Sequence, residues 1–188
     1  MLTRVVQIEE AERSKDLLYE AGEIIKAGGL VAFPTETVYG LGGDALNPAS
    51  SRKIYEAKGR PSDNPLIVHI ADMEALQAIV KCVPEAAKRL AEAFWPGPLT
   101  MILEKSVLVP KETTGGLETV AVRMPSDDVA LAFIRAAGGY VAAPSANRSG
   151  RPSPTRAEYV AQDLDGRIEM ILDGGDVTLG LESTIVDL

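Results

Sequence analysis

Cysteine and histidine each occur once in this chain, as Cys82 and His69. No disulfide can form within the chain, and a Cys/His zinc site is excluded. Any Ser/His/Asp or Cys/His relay would have to run through one of these two residues. Aromatic residues make up 5% of the chain, too few for a platform on which nucleic-acid bases stack. Positive charge is also short: 19 Lys+Arg stand against 27 Asp+Glu, for a net charge of −8. That balance argues against a dedicated nucleic-acid binder. The longest uninterrupted apolar run, Val129–Ile134, is far below the ~20 residues of a membrane helix. Met1–Glu10 has no apolar segment of the secretory kind. Walker A and G-x-S-x-G sequences are missing, and there is no internal repeat or low-complexity stretch. The setting expected from these absences is the cytoplasm.

What is present is ordinary globular composition, 46% hydrophobic and 24% charged over 188 residues. A chain this long can bury roughly 70% of its unfolded surface in one domain. Periodicity predicts strands at Val5–Ile8, Leu30–Phe33, Leu66–Ile70, Leu99–Glu104, Thr119–Met124, Tyr140–Ala143, Ile168–Leu172 and Thr184–Leu188. Helices are predicted over Leu17–Ile25, stopped by Gly28 and Gly29, and from Asn47-Pro48 to Lys58. Others follow the caps Asp72 and Ser126, begin at Pro84, and lie near Thr155–Leu164. Elements mixed in this way, without strict alternation, predict a single α/β domain on a twisted, mixed sheet. Because the last strand ends with no turn or cap, either the protein ends abruptly there or the domain of residues 1–188 is part of a longer chain that continues into a linker or second domain.

Gly40-Leu41-Gly42-Gly43-Asp44-Ala45 fits G-x-G-x-x-A, but its strand ends earlier and its helix starts later than a dinucleotide site requires. Three polar loops carry more promise. They are Pro34–Gly42, with three hydroxyls and an acid, Lys58–Pro65, and Pro144–Ser153. Two basic islands accompany them. Arg52, Lys53, Lys58 and Arg60 face only Glu56, and Arg148, Arg151 and Arg156 face no acid. Cations, hydroxyls and flexible backbone at strand ends suit an anion such as a polyphosphate. His69 ends a strongly apolar strand, where a core role is at least as expected as a ligand contact. Cys82 is expected to be a packed thiol. Arg123 lies inside an apolar strand and has to meet a carboxylate from the protein or from a ligand, the ligand being the favoured reading.

Pro34-Thr35-Glu36-Thr37-Val38-Tyr39-Gly40-Leu41, Lys58-Gly59-Arg60-Pro61, Asn64-Pro65-Leu66, Trp95-Pro96-Gly97-Pro98-Leu99-Thr100, Ala143-Pro144-Ser145-Ala146-Asn147 and Glu182-Ser183-Thr184-Ile185 together resemble the YrdC-like family of threonylcarbamoyl-AMP synthases. The match runs in order from about Gly28 to Leu188. The resemblance implies a YrdC-like α/β fold with a basic concave cleft. It also implies a nucleotidyltransferase that joins L-threonine, bicarbonate or carbon dioxide, and ATP into threonylcarbamoyl-AMP and pyrophosphate. The product would supply the machinery that modifies a tRNA adenosine beside the anticodon. Carried over by motif, Lys58 and Arg60 would be catalytic, acting on phosphoryl charge. The ATP contacts would be Arg60, Asn64, Thr119, Ser145, Asn147 and Ser153. The threonine pocket would be Thr37, His69, Arg123, Ala143 and Ser183. Mg²⁺ would arrive on the ATP phosphates, with no metal site in the protein. The family's continuation past Ser183-Thr184-Ile185-Val186 is absent. Two rivals are an RNA-binding module, weak RNA binding being compatible with a basic cleft, and a carbamoyl-adenylate-forming domain of hydrogenase-maturation type.

Overall fold

The computed structural model describes residues 2–188. In chain order the elements are β1 (Arg4–Gln7), α1 (Lys15–Lys26), β2 (Val31–Phe33), β3 (Gly40–Asp44), α2 (Pro48–Lys58), β4 (Ile67–His69), α3 (Met73–Ile79), α4 (Glu85–Phe94), β5 (Leu99–Glu104), β6 (Thr119–Arg123), α5 (Asp128–Ala136), β7 (Val141–Ala142), α6 (Ala157–Leu164), β8 (Met170–Asp173) and β9 (Thr184–Asp187). One mixed sheet runs in the order β1-β8-β2-β3-β7-β4-β6-β5-β9. The expected α/β class and mixed sheet are what the chain adopts.

Local chemistry sets the helix ends. Asn47 accepts a hydrogen bond from the Ala49 amide at 2.9 Å, and Pro48 occupies the first helical position. Gly59, with φ 62°, closes α2 in the left-handed conformation that glycine takes without strain. The cap of α5 differs from expectation. Asp127, not Ser126, accepts from the Ala130 amide at 2.8 Å. In α1 the apolar stripe buries Leu18, Ala21 and Ile25, while Gly22 marks the contact with α5. A Cβ there would lie 2.5 Å from the Ala136 carbonyl carbon.

Strand β3 is the element the sequence hides. Its residues, Gly-Leu-Gly-Gly-Asp, read as loop, yet it pairs antiparallel with both β2 and β7. Its glycines are explained by close packing. A Cβ on Gly42 would meet Val141 Cγ1 at 2.9 Å, and one on Gly43 would meet Ile54 Cδ1 at 3.0 Å. Cys82 is likewise corrected: it is exposed rather than packed.

Side chains alternate across the sheet. Val31 and Phe33 of β2 pack with Ile25, Phe133 and Ile134 of α1 and α5. Ala32 faces the opposite core, with Leu41, Ile54 and Ile171. The other half of the sheet is dressed unequally. Val68, Val122 and Met101 join Leu76, Ile79 and Ala91 beneath it. On the upper face, the register aligns His69 with Arg123, Arg123 with Thr100, and Thr100 with Ile185. The next row aligns Ile67, Ala121, Ile102 and Asp187. Ile67, Ala121 and Ile102 are half-buried and Ile185 is 57% exposed. This incompletely covered face is the floor of the candidate site.

Candidate active site

Three loops meet above that floor and tie one another down. The Tyr39 amide donates to the Pro154 carbonyl, Leu41 to Pro144, and Ala146 back to Tyr39, all at 2.8–2.9 Å. The segment between β8 and β9 crosses over the first loop, with Leu179 donating to the Glu36 carbonyl at 2.9 Å and Gly180 to that of Thr37 at 3.0 Å. This strap brings Glu182 and Ser183 to the cavity. The result is a narrow hollow of about 30 Å³ whose wall includes Thr37, His69, Arg123, Ala143, Ser145 and Ser183. All five residues expected in the threonine pocket therefore line one cavity.

Arg123 is 4% exposed, and the protein itself supplies its carboxylate. Its Nη2 lies 2.7 Å from Glu36 Oε1, a buried ion pair. The contact is off the line of a good hydrogen bond, and among the described residues neither Glu36 side-chain oxygen has another partner. A carboxylate thus meets Arg123 from within the protein, beside any that a ligand would bring. The rest of the guanidinium is held by Nη1 donating to Thr37 Oγ1 at 2.9 Å and Nε to the Gly97 carbonyl at 3.4 Å. His69 stands beside it in register. Burial and the Arg123 charge push its pKa down to about 3, so the ring is neutral. Its Nδ1 lies 3.1 Å from the Ile67 carbonyl, and the Phe33 ring meets it edge-on at 6.0 Å. A carbonyl only accepts, so Nδ1 carries the proton and Nε2 offers a lone pair. Ser183 Oγ shares a 2.8 Å hydrogen bond with Thr100 Oγ1.

The expected phosphate side is built differently from the reading of its residue types. Lys58 is 3% exposed and its ammonium is held by the carbonyls of Ser145 and Asn147, the latter at 2.5 Å. Burial, with the neighbouring Arg60 charge, lowers its pKa to about 8. Lys58 is thus a strut between α2 and the Pro144–Ser153 loop, and that loop also donates its Ser149 N–H to the Lys58 carbonyl. Asn147 spends its amide nitrogen on the carbonyls of Arg148 and Arg151, at 2.9 and 2.7 Å. Arg60 is freer. It is half-buried, its Nη2 makes only contacts of 3.2 and 3.4 Å to the Pro65 and Asn64 carbonyls, and its Nε has no partner. Ser153 donates to Glu182 Oε1 at 2.6 Å on the cavity rim. Thr119 and Asn64 are not brought into the cavity. Thr119 lies along β6 two strand repeats from Arg123, and Asn64 is exposed in the loop after Arg60.

The two basic islands are largely neutralised by acids remote in sequence. Arg52 pairs with Glu112 at 2.7 Å, Arg151 with Asp163 at 2.6 Å and Arg156 with Asp176 at 2.8 Å. Lys53 donates to the Gly28 carbonyl at 2.6 Å. Counting local charge therefore overstated the free cation. The residues missed from the candidate set are Thr35, Glu36, Thr100 and Glu182. Each sits within a recognised motif, and all but Thr100 lie next to or within two residues of a chosen one; Thr100 is brought to the site by its register with Arg123.

A profile of the Sua5/YciO/YrdC family, described as "Telomere recombination", matches residues 23–188. A threonylcarbamoyl-AMP synthase of Pyrococcus abyssi is 53% identical over 187 residues, covering 100% of this chain and 55% of that protein. One from Bacillus subtilis is 54% identical, covering 95% and 52%. The crystal structure of P. abyssi Sua5 complexed with L-threonine superposes with a TM-score of 0.93 at 52% identity, covering 100% of this chain and 54% of that one. The chain spans about half the length of these relatives. With sequence and three-dimensional likeness agreeing along its length, the chain belongs to the Sua5/YciO/YrdC family.

Proposed function

We propose that this chain is the catalytic domain of an L-threonylcarbamoyladenylate synthase, joining L-threonine, bicarbonate or carbon dioxide, and ATP. The observation that carries the reading is the single cavity holding Thr37, His69, Arg123, Ala143 and Ser183. It places a fixed cation beside neutral acceptors, which suits a zwitterionic hydroxy-amino acid. The relatives named as synthases, and the threonine-complexed structure of one of them, support the same substrate.

In this reading the threonine amine adds to carbon dioxide, losing a proton. A carbamate oxygen then attacks the α-phosphorus of ATP, a new P–O bond forms, and pyrophosphate leaves. No protein nucleophile is required. The protein positions two anionic reactants and meets the charge that builds on the phosphoryl oxygens. Arg60 is the cation free for that task, while Lys58 and Asn147 hold the loop that presents Ser145. The donor set fits Mg²⁺ only as a passenger of the nucleotide. Among the described residues no group of three His, Cys, Asp or Glu could hold a metal, and Glu182 is the rim carboxylate left to touch one. When bound, Mg²⁺ would neutralise phosphate charge. In this reading the downstream partner is the machinery that transfers the threonylcarbamoyl group to tRNA, and the setting is the cytoplasm. No helix of the described residues is long and apolar enough to cross a membrane.

Pyrophosphate release, measured with and without bicarbonate and with each amino acid in turn, tests this. Release requires threonine and bicarbonate together. Serine, lacking one methyl, reacts roughly 10–200-fold worse. Release that ignores the amino acid overturns the assignment.

A further inference from the structure

The cavity wall has a fixed hydrogen-bond polarity, and a residue not assigned any ligand contact establishes it. Thr35 Oγ1 lies 2.7 Å from the Val38 carbonyl oxygen and 2.9 Å from Thr37 Oγ1. Each of these oxygen–oxygen contacts needs one proton. The carbonyl has none to give, so the Thr35 proton lies on the bond to Val38. The Thr35–Thr37 contact is then held by the proton of Thr37. The amides of Thr37 and Val38 also donate to Thr35 Oγ1, at the longer distances of 3.2 and 3.3 Å, and as donors they leave the Thr35 proton on Val38. From the other side Arg123 Nη1 donates to Thr37 Oγ1 at 2.9 Å. Thr37, which lines the cavity, is therefore left with one lone pair and no proton to offer. His69 Nδ1 is committed to the Ile67 carbonyl, so its Nε2 is a second bare acceptor on the same wall.

We propose that Thr35 is a specificity-determining positioning residue, which fixes the Thr37 proton and so makes Thr37 and His69 an acceptor-only pair that selects a ligand bearing O–H or N–H donors. The ligand class is a hydroxy-amino acid, whose ammonium and hydroxyl bring those donors while its carboxylate answers Arg123. This rests on the assignment of the cavity to L-threonine and explains how the cavity reads it. A ligand that presents only acceptors to this wall leaves buried groups unpaired and is rejected.

The test is calorimetric titration of L-threonine, and separately of a non-hydrolysable ATP analogue, into wild type, Thr35→Val and Thr35→Ser. The valine variant frees the Thr37 proton, and threonine affinity falls roughly tenfold or more, the loss expected for one mispaired buried hydrogen bond. Nucleotide affinity stays within about twofold, and serine, which keeps Oγ, restores threonine binding. Unchanged threonine affinity in the valine variant, a parallel loss of both ligands, or failure of serine to rescue overturns the proposal. Thr35→Cys keeps the size but offers a poor acceptor, and replaces the valine variant where that one unfolds.

A second measurement needs no variant, because His69 is the sole histidine and its ring nitrogens can be assigned in a ¹⁵N spectrum without ambiguity. The Nδ1–H tautomer is expected in the free protein, with the Nε2 resonance moving on addition of L-threonine and Nδ1 staying put. An Nε2–H tautomer, or an Nε2 resonance unmoved by bound threonine, also refutes the acceptor pair. Wild type that binds no threonine refutes the substrate assignment instead, and the tautomer of the free protein still reports the polarity of the wall.

Discussion

Replacing Glu36 with glutamine removes a charge from inside the protein while keeping its shape. Glu36 is 8% exposed and Arg123 4%, and their charged atoms are 2.7 Å apart. Neither carboxylate oxygen has another partner, so the interaction to be lost is the ion pair with Arg123. Removing one member of a buried pair strands the other, at a typical cost of about 3–5 kcal/mol. For a chain of this size that lowers the melting temperature by roughly 6–20 °C, taking 2–4 °C per kcal/mol. The same logic predicts a ligand effect. A bound amino acid brings its own carboxylate to Arg123, so L-threonine stabilises Glu36→Gln more than wild type. The assay is thermal denaturation of wild type, Glu36→Gln, Arg123→Met and the double variant, each with and without threonine. If the charges are coupled, the double variant is less destabilised than the sum of the singles, by at least about 0.5 kcal/mol. Additive losses, or a Glu36→Gln protein as stable as wild type, refute the pairing argument.

Arg60→Ala is expected to cut turnover by about 10² or more, by analogy with losing one preorganised donor, and to leave the melting temperature near wild type because Arg60 makes only long carbonyl contacts. Near-normal kinetics would remove it from the site. Gly42→Ala forces a Cβ to within 2.9 Å of Val141 Cγ1 and 3.1 Å of the Val31 carbonyl oxygen, and is expected to destabilise by about 1–3 kcal/mol in denaturant titration. A neutral result would mean the β3 glycines have some other cause. His69 contributes a pH dependence of definite sign. Its pKa is near 3 folded against 6.5 unfolded, so between those values the unfolded state binds the extra proton and stability is lost as the pH falls. The loss approaches about 1.4 kcal/mol per pH unit, and His69→Gln should flatten the denaturation profile from pH 6 to 4.

How much of this was legible beforehand depended on whether the cause was local. Asn47-Pro48, the Asp72 cap and the alternating β5 and β6 strands announce themselves because a cap or a period involves residues a few positions apart. Strand β3 does not, because its glycines answer to Phe33, Val141 and Ile54, which no window around Gly40–Asp44 contains. The site divides along the same line. Motif identity was enough to gather Thr37, His69, Arg123, Ala143 and Ser183, and the fold places them around one cavity. Their occupations were not legible. That Lys58 is fastened to two carbonyls and that Arg151 is answered by Asp163 are consequences of contacts between segments far apart in the chain. Local charge counting sees the cations and misses the distant acids.

The same contacts bear on how an acidic chain would hold the anionic reactants of the proposed reaction. A broad basic face would draw any polyanion, at a rate set by long-range field and screened by salt. Here most island cations are paired, and Arg123 is matched by Glu36 within the protein. What remains is a short inventory of groups with bonding capacity to spare, which includes Arg60 on the loop after α2, the Nη2 of Arg123, the Nε2 of His69 and a lone pair of Thr37. Each is aimed by a hydrogen bond or packing contact that is already made before any ligand arrives. Such a site discriminates by geometry rather than by attraction, because a ligand gains only where its own donors and charges complete the existing pattern. Rigid pairing around a few free groups is also what electrostatic stabilisation of a transition state needs, since dipoles already fixed cost no reorganisation when charge develops. The open half of the sheet supplies the fixed rows that make this possible: His69, Arg123 and Thr100 are neighbours by strand register, so their spacing is set by the backbone ladder beneath them.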